Sequence, residues 1–117
     1  MPSISTTQLE PDIVVVSIGG RLALGRECQQ VEWAVDKLID ESKKKVVFDL
    51  SELNYVDSTG LGIIVMCRGK METAGGELRV ASPQPRILEL MKITHLDQIM
   101  HFYPTVAEAA DNFDIAR

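Results

Sequence analysis

The sequence predicts an α/β domain, with a mixed, mostly parallel β-sheet that opens on an N-terminal antiparallel hairpin and with helices packed against the sheet. Three observations carry this expectation. Two β-rich segments, residues 4–9 and 13–18, are separated only by Glu10-Pro11-Asp12, a turn in which proline fixes one dihedral and aspartate bonds nearby backbone. Strand-like and helix-like segments then alternate, the pattern that gives parallel strands joined by right-handed crossovers. The chain has 117 residues, the size of one domain and too short for two independent cores, so a single domain over residues 1–117 is expected.

Gly19-Gly20 and Gly25 interrupt the strand pattern, and from about Glu27 apolar residues recur as Cys28, Val31, Val35, Leu38 and Ile39. That stripe has helical spacing and predicts the first amphipathic helix. Trp33 points away from the stripe, toward Gln30, Lys37 and Asp40, so it is expected to be at least partly exposed unless a loop folds over it. An exposed Trp33 would offer a second contact surface, for example for a weak homodimer.

Lys43-Lys44-Lys45 closes this helix, where cations meet the negative end of its dipole. Residues 46–50 read as a strand buried on both faces, and 51–57 as a loop. A second helix follows over about 58–74 and is ended by Gly75-Gly76, where glycine can take the left-handed conformation. Residues 77–81 predict another strand. Ser82-Pro83-Gln84-Pro85 opens a short third helix through about Met91, and residues 98–102 supply a last short strand. Thr105 and Glu108 have the spacing of a capping box for the final helix.

Composition excludes several functions. Acidic side chains outnumber basic ones 17 to 12, for a net charge of -5, and the longest basic run is the lysine triplet, so nucleic-acid binding is disfavoured. Neither a G-x-G-x-x-G nor a G-x-x-x-x-G-K-[ST] spacing occurs, which argues against a nucleotide site. Cys28 and Cys67 each sit in an apolar periodic segment rather than a C-x-x-C pair, so they read as reduced core residues and no metal or other cofactor is expected. The N-terminal residues lack a basic segment followed by an apolar one, and no apolar run approaches the roughly 20 residues that span a bilayer. A cytoplasmic protein without membrane contact is expected.

The stretch that carries chemistry runs from Leu50 to Gly62: a strand end, a loop, then Asp57-Ser58-Thr59 opening a helix. Unpaired backbone N–H groups and the positive end of the dipole meet there, so a phosphate would be well placed without unfolding anything. Asp57 and Ser58 also both suit a plain helix cap, which composition alone would favour. Beyond Ser58, Leu61, Ile63, Ile64, Val65, Met66 and Cys67 spread apolar groups around most of the helix. Either the sheet and neighbouring helices bury them, or some face a partner.

Residues 46–62, VVFDLSELNYVDSTGLG, resemble the signature of the STAS domain family, which includes bacterial anti-sigma-factor antagonists. Gly20-Arg21-Leu22, Ala74-Gly75-Gly76-Glu77-Leu78 and the segment LMKITHLDQI follow in family-like order and spacing. The resemblance implies that Ser58 is phosphorylated by an anti-sigma factor that is a serine kinase. It also implies that the unphosphorylated form binds this kinase and so releases a sigma factor, and that a phosphatase acting on the phosphoserine resets the switch. Asp57, Ser58, Thr59, Gly60, Leu61 and Gly62 map onto the helix start that meets the partner, while ATP and magnesium belong to the kinase. One position departs from the pattern: the family often carries an acidic residue after the Gly-x-Leu of strand two, and here it is Ala23.

Two other readings stand beside this one. Val56-Asp57-Ser58-Thr59-Gly60 resembles half of a G-x-S-x-G nucleophile elbow, with Asp97 and either His95 or His101 as partners, but the first glycine is absent. A STAS-like scaffold that binds a signalling or transport partner constitutively, with Ser58 only a cap, is the other.

Overall fold

Isoleucine and valine fill the segment after Asp12, and this segment becomes the axis of the sheet. The structure is a computed structural model that describes residues 3–9, 11–111 and 113. Strand β1 (Ser3–Leu9) pairs antiparallel with β2 (Ile13–Leu22), from Ser3 opposite Gly19 to Leu9 opposite Ile13. This is the expected hairpin, although Glu10 of its turn lies outside the described residues. On its other side β2 pairs parallel with β3 (Lys45–Asp49), β3 with β5 (Glu77–Ala81), and β5 with β6 (Phe102–Tyr103). The sheet is mixed and mostly parallel.

Alternation along these strands builds two unequal cores. Val14, Val16, Val46, Phe48, Leu78 and Val80 pack on one face beneath helices α1 (Arg26–Asp40), α2 (Ser58–Thr73) and α3 (Pro85–Ile93). Val15, Val47 and Ala81 pack on the other, under α4 (Val106–Ala110) and Phe113. Strand β3 is thus buried on both faces, as its unbroken apolar run requires. The α1 stripe of Cys28, Val31, Val35 and Leu38 is buried as its spacing predicts.

Charges staple the layers. Lys70 on α2 donates to Glu32 at 2.7 Å and Asp36 at 3.0 Å on α1, and these two bonds raise its pKa. Of the lysine triplet, Lys44 donates to the Ala74 carbonyl at the end of α2 and Lys45 pairs with Asp12 at 3.0 Å. Arg79 is buried on the α4 face, where it donates to Glu77 at 2.9 Å and to the carbonyls of Ala109 and Asp111 at 2.9 and 3.0 Å. Its guanidinium lies 4.1 Å from the Phe113 ring centroid. One cation therefore satisfies the α4 carbonyls that have no helical partner.

Four expectations need correction. β2 does not stop before Gly19-Gly20 but runs through them to Leu22. The lysine triplet lies past the end of α1 at Asp40, with Lys44 serving the α2 terminus and Lys45 in β3. Residues 51–57 are not simply a loop, because Leu53–Val56 form β4, parallel to the end of β2. β4 continues the line of β3: Asp49 lies opposite Ser17, then Leu53 opposite Gly20 and Val56 opposite Leu22. A register shift between Gly20 and Arg21, with Gly20 at φ 77°, lets β2 bend to accept it. The last strand is also only residues 102–103. A single 3-10 turn at Leu96–Gln98 reaches the start of the expected segment, and Leu96 in it and Met100 after it are buried.

Two glycines of α2 face opposite demands. A Cβ on Gly60 would sit 2.2 Å from the Leu22 carbonyl oxygen and 2.7 Å from Cγ2 of Val56, whereas one on Gly62 would meet nothing within 4 Å. Gly60→Ala is expected to destabilise by about 1–3 kcal/mol, because the clash outweighs the gain in helix propensity. Gly62→Ala should instead stabilise by about 0.5–1 kcal/mol. Urea unfolding of the two variants measures both signs.

Candidate functional site

The carboxylate of Asp57 organises the start of α2. β4 delivers Asp57 in extended backbone (φ -103°, ψ -177°) at the N-cap, where its Oδ1 accepts the Gly60 N–H at 2.8 Å. Oδ2 accepts the N–H of Leu24 at 3.0 Å, from the turn between β2 and α1, while the Asp57 N–H donates to the Leu22 carbonyl at 3.3 Å. One side chain thus fastens the helix to the end of β2. The amides of Gly60 and Leu24 favour the charged form and hold this carboxyl below the usual carboxylate range, against a smaller opposing effect of desolvation.

With Asp57 in the cap, Ser58 is released from that task. Ser58 occupies the first helical position, is exposed, and its hydroxyl has no protein hydrogen bond among the described residues. Thr59 beside it is exposed as well. Gly60 and Leu61, expected on the partner-facing helix start, turn inward instead: Gly60 abuts the β2 end, and Leu61 is buried in the larger core. Gly62 and Met66 remain exposed, whereas Ile63, Ile64 and Cys67 are buried. The apolar circumference of α2 is therefore mostly core, with one open face.

Ala23, where the resemblance leads to the expectation of an acidic residue, is buried, and its carbonyl accepts the Cys28 thiol at 3.1 Å. Burial raises the pKa of the Cys28 thiol, with Asp57 adding to the rise, and pushes Cys67 up to about 12. Both thiols are core groups. Trp33 is 59% exposed on the outer side of α1.

Sequence reasoning misses three exposed apolar residues, Leu24, Tyr55 and Ile93. Leu24 is 75% exposed in the turn that Asp57 holds. Tyr55 and Ile93 are also exposed, and they flank a groove of about 330 Å³ between β4 and α3. The Arg21 guanidinium stacks 4.2 Å from the Tyr55 ring centroid, which steadies the ring at the groove mouth. The available signal is Leu24 itself, an apolar residue just before a glycine and outside both neighbouring periodic patterns.

The partners of a nucleophile elbow do not converge on Ser58. Asp97 and His101 line a separate cavity of about 540 Å³ between α3 and β6, and Ser58 does not line it. His95 caps the following 3-10 turn in left-handed backbone. Among the described residues, no helix is long and apolar enough to cross a membrane.

The model of the STAS domain matches residues 5–109, a span that holds every strand pairing of the α2 site. The chain belongs to the STAS domain family. It is similar to the anti-sigma-B factor antagonist of Staphylococcus aureus, 28% identical over 86 residues that cover 74% of this chain and 79% of that one. Among solved structures, TM1081 of Thermotoga maritima superposes with a TM-score of 0.85 at 24% identity, covering 94% of this chain and 93% of its own. The anti-sigma factor antagonist SpoIIAA has been solved unphosphorylated and phosphorylated, with TM-scores of 0.70 and 0.73 at 18% identity; the matches cover 93% and 96% of this chain and 96% and 100% of the SpoIIAA chains. As likenesses under 25% identity, these structures bear on the STAS fold alone.

The lowered pKa of Asp57 has a pH signature. Because the folded carboxyl titrates below the unfolded one, its stabilisation is complete above the ordinary carboxylate range and is lost as pH falls through the folded value. Asp57→Asn still offers an oxygen to the Gly60 N–H but puts an amide where Leu24 needs an acceptor. Urea melts between about pH 2 and pH 7 should show wild type losing more stability than Asp57→Asn on acidification. Equal acid limbs in the two proteins would contradict the assignment.

Proposed function

We propose that this protein is an anti-sigma-factor antagonist whose partner is an anti-sigma factor with serine kinase activity, and that phosphorylation of Ser58 switches binding off. The single observation that carries the reading is that Asp57 takes the cap and leaves the Ser58 hydroxyl exposed at an open helix N-terminus. A hydroxyl in use as the cap would be a poor substrate; this one is free to be modified. The similarity to an anti-sigma-B factor antagonist supports the same reading.

The docking surface consists of the exposed Ser58, Thr59 and Gly62, with Leu24 held beside them through Asp57 and Met66 one turn beyond Gly62; Tyr55 and Ile93 line the groove between β4 and α3. Unmodified, it offers a hydroxyl among exposed apolar groups. A phosphate adds about -1.5 to -2 charges to it, and docking against an apolar or acidic patch must then desolvate them. A loss of several kcal/mol would reverse a micromolar equilibrium, since each ~1.4 kcal/mol is about tenfold. The new charge also lies next to Asp57, so it opposes the ionised state of that carboxyl and with it the hold on Leu24. A phosphatase that removes the group restores the surface. Ala23 bears on phosphorylation specifically, because the only carboxylate adjoining Ser58 in sequence is Asp57 and that group is engaged by the backbone.

Incubation with the kinase and ATP, followed by mass spectrometry, should place one phosphate on Ser58, and Ser58→Asp should weaken the complex by at least about tenfold. A stoichiometric complex indifferent to Ser58→Asp would support the constitutive scaffold instead. Alanine substitutions divide surface from core. Leu24→Ala should weaken partner binding with an unchanged melting temperature, whereas Leu61→Ala should cost about 2–4 kcal/mol of stability.

A further inference from the structure

The two edges of the sheet are finished differently. β6 is two residues long and runs into Pro104, which has no N–H to offer. β1 has seven residues and pairs with β2 in unbroken register from Ser3 to Leu9, and no described strand lies on its other side. Natural sheets blunt such an edge with lysine, proline, a bulge or simple shortness. The β1 sequence, SISTTQL, uses none of these, and its β-branched Ile4, Thr6 and Thr7 favour extended backbone.

We propose that the free edge of β1 pairs antiparallel with the β1 of a second copy of this chain, about a two-fold axis near Thr6, so that two sheets join into one. Charge favours a second copy as the occupant. The chain carries a net charge of -5, yet β1 has no ionisable side chain, so two copies can meet there without bringing like charges together.

The residue pattern is self-complementary. A two-fold axis at Thr6 sets Thr6 opposite Thr6, Ser5 opposite Thr7 and Ile4 opposite Gln8, and hydroxyl pairs of this kind are favourable across strands. Ser5, Thr6, Thr7 and Gln8 are exposed, so pairing displaces water rather than packed side chains. The association also closes on itself. β6 could offer an incoming β1 only two residues, so head-to-tail growth into a filament is poor and the isologous dimer is the end point. One strand pair buries less than the roughly 800 Å² per partner of a standard interface, which sets the affinity at micromolar or weaker. The edge is distinct from Trp33, the self-association surface that the sequence suggests.

Sedimentation equilibrium of the full chain, from low micromolar to millimolar concentration, should show a reversible dimer, and alternate β1 amides should gain protection from hydrogen exchange as dimer accumulates. Thr6→Lys places two like charges opposite each other and should weaken self-association by at least about tenfold with an unchanged melting temperature. Ser5→Lys, on the other sheet face, should do the same, and Trp33→Ser should leave the dimer intact. A chain that stays monomeric at millimolar concentration overturns the proposal. So does a dimer that survives both lysine variants, or one lost with Trp33→Ser.

Discussion

Everything distinctive about the α2 terminus depends on one carboxylate that accepts two amides from distant parts of the chain. Asp57 binds the Gly60 N–H inside its own helix and the Leu24 N–H, 33 residues away in sequence, in the turn after β2. The first bond starts the helix, and the second fixes the turn against it. Because the cap is filled, Ser58 stands outside with its hydroxyl unused. Because the turn is fixed, the exposed Leu24 keeps a defined position near that hydroxyl. The close approach of Gly60 to the Leu22 carbonyl completes the arrangement from the backbone side.

Beneath this terminus, the helix is anchored well enough that a change at its mouth need not disturb its body. Ile64, Cys67 and Met71 of α2 have no measurable exposure, and Lys70 ties the same helix to two carboxylates on α1. The sheet beneath it is gripped from both sides, with Val46 and Phe48 facing α1 and α2 and Val47 facing α4. A phosphate at the N-terminus would meet a favourable dipole and an unfavourable neighbour in Asp57, both at the surface. The energetic consequence falls on whatever docks there.

Where one periodicity governs a segment, the sequence is readable. The α1 stripe from Cys28 to Leu38, the doubly buried β3, and the Thr105–Glu108 capping pair all appear where their spacing puts them; Thr105 Oγ1 accepts the Glu108 N–H at 3.0 Å. Strand β4 is hard to read because a bulge breaks its alternation: Leu53 and Val56 are buried while Asn54 and Tyr55 between them are both exposed. That same irregularity sets Tyr55 at the groove mouth, so the hidden strand and the missed surface residue share one cause. At the site, Asp57 and Ser58 are both visible as candidate caps, but only geometry assigns the cap to Asp57. The resemblance sets Gly60 and Leu61 on the partner-facing helix start, and the spacing leaves Leu61 open between core and partner, whereas the helix turn rotates both into the core. Leu24 acquires its position from a hydrogen bond to a residue far along the chain, which no local pattern encodes.

The most direct measurement is a comparison of two-dimensional amide spectra of the unmodified protein and the protein quantitatively phosphorylated on Ser58. Confinement of the shift changes to residues 23–25 and 57–62 and their immediate neighbours, with the β3 amides unmoved, is the predicted result. Changes that run through β3 and β5, or a melted spectrum, would contradict it, since the modification would then act on the fold rather than on the surface it presents.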